Sequence, residues 1–144
     1  MIVADTNLIA YLFIAGDKTE TVHQVYQQDK DWFVPPLWRH EFLNVLAKYI
    51  RYEGASITDA LSIWQSSVQF LSYRERRVNL TDALQLAASL QMSTYDAQFL
   101  TLAQSLGCWL VTEDKQLLKK SPEYAQSMQQ FLDSQQYNSA NGGS

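Results

Sequence analysis

The sequence predicts an α/β domain organised around a mostly parallel sheet. Three observations lead there. Apolar runs of strand length stand at residues 1–4, 32–34 and 108–111. The segments between them carry helical periodicity, and strands alternating with helices make parallel sheets. With 144 residues, 47% hydrophobic and 18 of them Phe, Trp or Tyr, the chain can bury one sizeable core and is not of disordered composition.

The first strand, residues 1–4, ends at Asp5-Thr6-Asn7, after which Leu8, Ile9 and Leu12 recur as on a helix face. Thr6 or Asn7 is the expected cap, and Asp5 falls at the strand's carboxyl end. Residues 17–31 read as a polar helix with Val22, Val25 and Tyr26 inward, and residues 32–34 as the second strand. Pro35 and Pro36 close that strand and open a helix over residues 37–51. Its buried face carries Trp38, Phe42, Val45, Leu46 and Tyr49. Glu41 stands three residues after Trp38 and four before Val45, on or beside that stripe. Two readings are open: a boundary glutamate paired with Arg39, His40 or Lys48, or a carboxylate directed into a site. Asn44, one turn on, shares the face and suits a supporting hydrogen bond.

Ser56-Ile57-Thr58-Asp59 matches a capping box for a helix with Ala60, Leu61, Trp64, Val68 and Leu71 inward. Arg74, Arg76 and Arg77 form the one concentrated basic run, either solvated or in contact with a phosphate backbone. Thr81 is the expected cap of the next helix, with Asp82 a first-turn acid favoured by the helix dipole. Ser93 and Asp96 fit another capping box, Phe99, Leu102, Ala103 and Leu106 give a stripe, and Gly107 stops the helix before the strand at 108–111. Asp114 suits the cap of a short helix holding Leu117 and Leu118. Residues 121–133 are Gln-rich, and Met128, Phe131 and Leu132 could supply either a strand or a helix. Residues 134–144 are polar, and a single domain over 1–133 with a disordered tail over 134–144 is the expected organisation.

Composition excludes several functions. A net charge of −4 argues against a passive DNA-binding module, although divalent cations would turn an acidic cluster into a phosphate-binding surface. The single Cys108 allows no internal disulfide and no zinc spacing. No apolar run reaches the roughly 18 residues of a membrane span, and the start lacks the pattern of a signal peptide, so a cytoplasmic protein is expected. Only His23 and His40 are available as imidazole bases, and no Ser-His-Asp set is apparent.

Singly, Asp5, Glu41, Asp96 and Asp114 each have an ordinary structural explanation, but two of them follow strands. In an open parallel sheet, groups at the strands' carboxyl ends meet where the strand order reverses. Several carboxylates together repel one another unless cations intervene, and hard Mg²⁺ takes oxygen ligands with open positions.

The ordered segments Val3-Ala4-Asp5-Thr6-Asn7, Glu41-Phe42-Leu43-Asn44-Val45, Tyr95-Asp96-Ala97 and Leu110-Val111-Thr112-Glu113-Asp114 resemble the motifs of PIN domains across about residues 1–120. The likeness is nearest to compact prokaryotic ribonuclease toxins of the VapC type. It implies a three-layer α/β/α fold with four or five strands. It also implies that Asp5, Glu41, Asp96 and Asp114 bind Mg²⁺ or Mn²⁺ for hydrolysis of RNA phosphodiesters by metal-activated water. Thr6, Asn7, Asn44 and Thr112 become supporting residues, and Arg74, Arg76 and Arg77 candidate substrate contacts. The expected partners are RNA, a second copy in a homodimer and an antitoxin protein. Two alternatives are a metal-dependent phosphohydrolase with Asp5 as nucleophile, against which Asn7 stands where a second aspartate belongs, and a non-catalytic PIN-like interaction module.

Overall fold

A computed structural model describes residues 1–142. Its sheet consists of β1 (Ile2–Ala4), β2 (Trp32–Phe33), β3 (Trp109–Val111) and β4 (Ala125–Gln126) in the order β2-β1-β3-β4, with every pairing parallel. The register sets Val3 against Phe33 on one side and against Leu110 on the other. Helices α1 (Thr6–Phe13) and α2 (Thr19–Gln28) connect β1 to β2. Helices α3 (Trp38–Glu53), α4 (Ile57–Phe70), α5 (Leu80–Leu90) and α6 (Thr94–Leu106) connect β2 to β3. Helix α7 (Lys115–Lys120) leads to β4, and α8 (Met128–Asn141) follows it.

Alternation along the strands assigns the two faces. Ile2, Ala4, Trp32 and Val111 bury against Leu8, Val22, Phe42 and Phe131, whereas Val3 and Leu110 bury against Phe99, Leu100 and Leu117. The result is a three-layer α/β/α fold with a four-stranded parallel sheet. Among the described residues, no helix is long and apolar enough to cross a membrane.

The chain leaves β1 toward β2 and leaves β3 toward β4, so the order reverses between the two central strands β1 and β3. A crevice opens at their carboxyl ends. Helix α3 borders it in a fixed rotation, because Trp38 and Phe42 are fully buried and pack with Trp64, ring centroids 5.7 to 6.4 Å apart. The Trp38 indole also donates to Glu75 Oε1 at 2.7 Å.

Several local expectations are corrected. The cap of α1 is Asp5, whose extended backbone and carboxylate precede the helix, so Thr6 and Asn7 are already helical. Asn79, not Thr81, caps α5, its Oδ1 accepting from the Asp82 N–H at 3.0 Å. The polar segment 17–31 is helical only over Thr19–Gln28. Residues 121–133 hold both a strand and a helix start, and α8 continues to Asn141 where composition predicts a disordered tail from 134. Its reason is local: Ser127 and Gln130 form a reciprocal capping box, Met128, Phe131 and Leu132 are buried, and Gln129 bonds Asp133 one turn on. Residues 143 and 144 of the expected tail lie outside the described residues.

Candidate active site

Asp5 reaches the crevice because β1 ends at Ala4 and the next residue must cap α1. Its Oδ1 accepts the Thr6 N–H at 2.8 Å, and its Oδ2 accepts the Thr112 hydroxyl at 2.6 Å. Thr112, fully buried just past β3, also accepts the Asp114 N–H at 3.0 Å. On the other side, the Thr6 hydroxyl donates to Glu41 Oε1 at 2.7 Å. A continuous chain of hydrogen bonds therefore runs from Glu41 through Thr6, Asp5 and Thr112 to Asp114.

Asp96 enters from the first turn of α6. Ser93 Oγ accepts the Asp96 N–H at 3.1 Å, and the Ser93 hydroxyl also interacts with the Asp96 carboxylate. The carboxylate nonetheless lines the crevice. Asp114 divides differently: its Oδ1 caps α7 by accepting from Gln116 and Leu117 at 2.8 and 3.0 Å, and its Oδ2 makes no bond among the described residues. The glutamate reading resolves as well, since Arg39 pairs with Glu75 and Glu41 has no ion pair among the described residues.

All four acids line one cavity of about 260 Å³, together with Thr6, Asn7, Asn44 and Val45. Electrostatics register their proximity. Burial pushes the Asp5 carboxyl from 3.8 to about 6; bonds from Thr112 and Thr6 oppose that rise, and the charges of Glu41 and Asp96 add to it. Burial also raises Glu41, against the Thr6 hydrogen bond and with repulsion from Asp96, and it raises Asp96, with repulsion from Asp114 and against the Ser93 hydrogen bond and the Lys120 charge. Anionic charge here is under-compensated by the protein.

Among the described residues, no three Asp, Glu, His or Cys side chains are gathered tightly enough to chelate an ion as they stand. The donor set nonetheless fits a hard divalent cation: it is all oxygen, and the raised carboxyls mark negative charge that a cation would offset.

The basic run is not part of this cavity. Arg74 pairs with Asp31 at 2.9 Å, and Arg76 lies 4.6 Å from the Phe33 ring centroid while donating to the Tyr73 and Glu75 carbonyls. Arg77 lines a separate depression between α5 and α6. What residue-type reasoning overlooked is the neighbourhood of Tyr11, whose hydroxyl burial and Glu113 push upward in pKa; the sequence around it gave no signal of that.

These features define a class: an α/β domain with a carboxylate pocket at the switch point of a parallel sheet. The chain belongs to the PIN-domain family, whose model matches residues 2–121. A relative, Ribonuclease VapC3 of Pyrobaculum aerophilum, is 28% identical over 127 residues, which cover 84% of this chain and 95% of the relative. The crystal structure of PAE2754 from Pyrobaculum aerophilum matches with a TM-score of 0.73 at 19% identity, covering 94% of this chain and 89% of that one, so the two share the fold.

Proposed function

We propose that the protein is a Mg²⁺- or Mn²⁺-dependent ribonuclease, the toxin of a type II toxin-antitoxin pair, acting in the cytoplasm as a homodimer that an antitoxin protein neutralises. The observation that carries the nuclease reading is the single pocket lined by Asp5, Glu41, Asp96 and Asp114. Membership of the PIN family and the likeness to a ribonuclease over most of both chains support RNA as the substrate.

Asp5, Glu41 and Asp96 would hold the cation, with Asp114 as a further ligand or as the acid that orients the attacking water. When bound, the ion supplies Lewis-acid polarisation of the phosphoryl group and acidifies water at neutral pH. The chain's own contribution is positioning. Thr112 and Thr6 hold the two Asp5 oxygens in opposite directions, and Thr6 orients Glu41 with the same residue's hydroxyl. Asn7 and Asn44, on the cavity wall, offer amide groups to the phosphodiester or to ordered water. Of the basic run, Arg77 is the one without a hydrogen bond or ion pair among the described residues and is the candidate for a phosphate contact outside the pocket.

The test is cleavage of structured and single-stranded RNAs in Mg²⁺, Mn²⁺ or EDTA by wild type, Asp5→Asn and Asp96→Asn. Metal-dependent cleavage lost in both variants is expected. Full activity in both would overturn the site assignment, and a wild type inert on every RNA would overturn the ribonuclease reading. Co-expression with the product of the adjacent reading frame, followed by co-purification, tests the antitoxin.

A further inference from the structure

A second depression, about 500 Å³, opens beside the acid pocket, and Asn7 and Val45 line both. Its walls carry three tyrosines, Tyr11 on α1 with Tyr49 and Tyr52 on α3, and one cation, Lys48, which has no ion pair among the described residues. Tyr52 is 72% exposed, and the Arg51 guanidinium lies 5.6 Å from its ring centroid. Resting on the ribonuclease reading above, we infer that this groove seats an unpaired base of the RNA substrate, stacked on tyrosine, a few nucleotides from the bond that is cut.

The geometry of α3 supports the assignment. Glu41, Val45, Lys48, Tyr49 and Tyr52 follow one another at intervals of three and four or adjacent to such positions, and so form one line along the helix. At 1.5 Å per residue, Lys48 stands about 10 Å and Tyr52 about 16 Å along the axis from Glu41. A strand whose phosphate lies at the acids and which runs along α3 therefore meets Lys48 and then the tyrosines. Stacked nucleotides advance about 3.4 Å each and unstacked ones more, so the distance is a few nucleotides.

Charge decides which part of the nucleotide enters. Asp17 and Glu53 also line the groove. Neither has an ion pair among the described residues, so their carboxylates repel phosphate. A base is neutral, packs its face on an aromatic ring and offers amino hydrogens that carboxylates accept. The sugar-phosphate then stays outside, within reach of Lys48 and Arg51. Duplex bases, already stacked and paired, cannot enter, so the groove selects single-stranded segments.

The experiment measures KM and kcat for a 12-nucleotide unpaired oligoribonucleotide, with a blunt duplex as control, using wild type, Tyr52→Ala, Tyr52→Trp, Tyr52→Leu and Lys48→Met. Tyr52 is exposed enough that its replacement leaves the core intact. Tyr52→Ala is expected to raise KM about 5- to 100-fold with kcat nearly unchanged, Tyr52→Trp to keep KM near wild type, and Tyr52→Leu to behave as the alanine variant. Lys48→Met is expected to raise KM and flatten its dependence on salt. A wild type that cleaves the oligonucleotide, with KM unmoved in all four variants, would overturn this inference and leave the nuclease reading standing. A wild type that cleaves no RNA would overturn both. Unchanged KM together with loss of antitoxin co-purification in Tyr52→Ala would assign the groove to a protein segment instead.

Discussion

Replacing Asp5 with asparagine is expected to stabilise the fold while removing the charge on which the proposed chemistry depends. Asp5 is 9% exposed, and its carboxyl is pushed from 3.8 to about 6. The native state therefore binds more protons than the unfolded chain between those values. Stability is fully present below the unfolded value and falls as pH rises through the folded one, reaching a plateau above pH 7. At 1.36 kcal/mol per pH unit the ionised carboxylate costs about 3 kcal/mol there. Asparagine keeps an acceptor for the Thr6 N–H and turns its amide toward Thr112 Oγ1. That hydroxyl already accepts from Asp114, so its own proton loses an acceptor, which returns about 1 kcal/mol. The net gain is about 2 kcal/mol, roughly 6 °C in Tm for a chain of this length. Thermal unfolding followed by circular dichroism from pH 4 to pH 8 in EDTA measures it. The gap between variant and wild type should be negligible or slightly negative at pH 4 and largest above pH 7. Saturating Mn²⁺ should close it from the wild-type side, since ligand at 100 times Kd contributes about 2.7 kcal/mol. An Asp5→Asn protein less stable than wild type at pH 7.5 in EDTA, or a gap independent of pH, would refute the reasoning.

Three further outcomes follow from the same geometry. Mn²⁺ binding, measured by calorimetry in buffers of different ionisation enthalpy, should release protons below pH 7 and tighten as pH rises through about 6, because the ligand carboxyls ionise on binding. Thr112→Val, which keeps volume but deletes a donor to Asp5 and an acceptor for Asp114, should cost about 2 kcal/mol at pH 7.5 by urea unfolding, and clearly less in an Asp5→Asn background, as a double-mutant cycle would report. Deleting residues 134–144 should change stability by less than about 1 kcal/mol, since the buried anchors of α8 are Met128, Phe131 and Leu132; a larger loss would mean that the last two turns carry packing of their own.

Much of the architecture is legible in the residues because β1, β2 and β3 are uninterrupted apolar runs, as strands buried on both faces must be. What misled was local chemistry with two valid answers. Asp5, Thr6 and Asn7 can each cap a helix, and the choice falls to Asp5 because parallel pairing carries Ala4 against Val111 and leaves the next residue extended. Asn79 and Thr81 compete in the same way. The Gln-rich stretch after Ser121 has no periodicity strong enough to separate strand from helix, and tertiary pairing of Leu110 with Ala125 makes the decision. The candidate acids could be found, but not their connection. That Thr6 and Thr112 bridge them depends on 35- and 107-residue separations, which only the closed sheet brings to hydrogen-bond distance.

That connection ranks the acids by physics. Asp5 stands at the centre of the relay, held from both sides and carrying the largest cost of burial, so its charge is the least tolerable without a counterion. Asp114 spends one oxygen on α7, which anchors it and leaves a single oxygen for any other role. Glu41 depends on Thr6 for its hydrogen bond, and the buried Trp38 and Phe42 beside it fix the rotation of α3 that presents it. Asp96 stands outside the relay, with its backbone and its carboxylate both held by Ser93. A cation entering the pocket would therefore find three acids joined by the relay and a fourth held separately by Ser93. The four come from three separate connections of the sheet, so filling the site would tie α3, α6 and the ends of β1 and β3 into one unit.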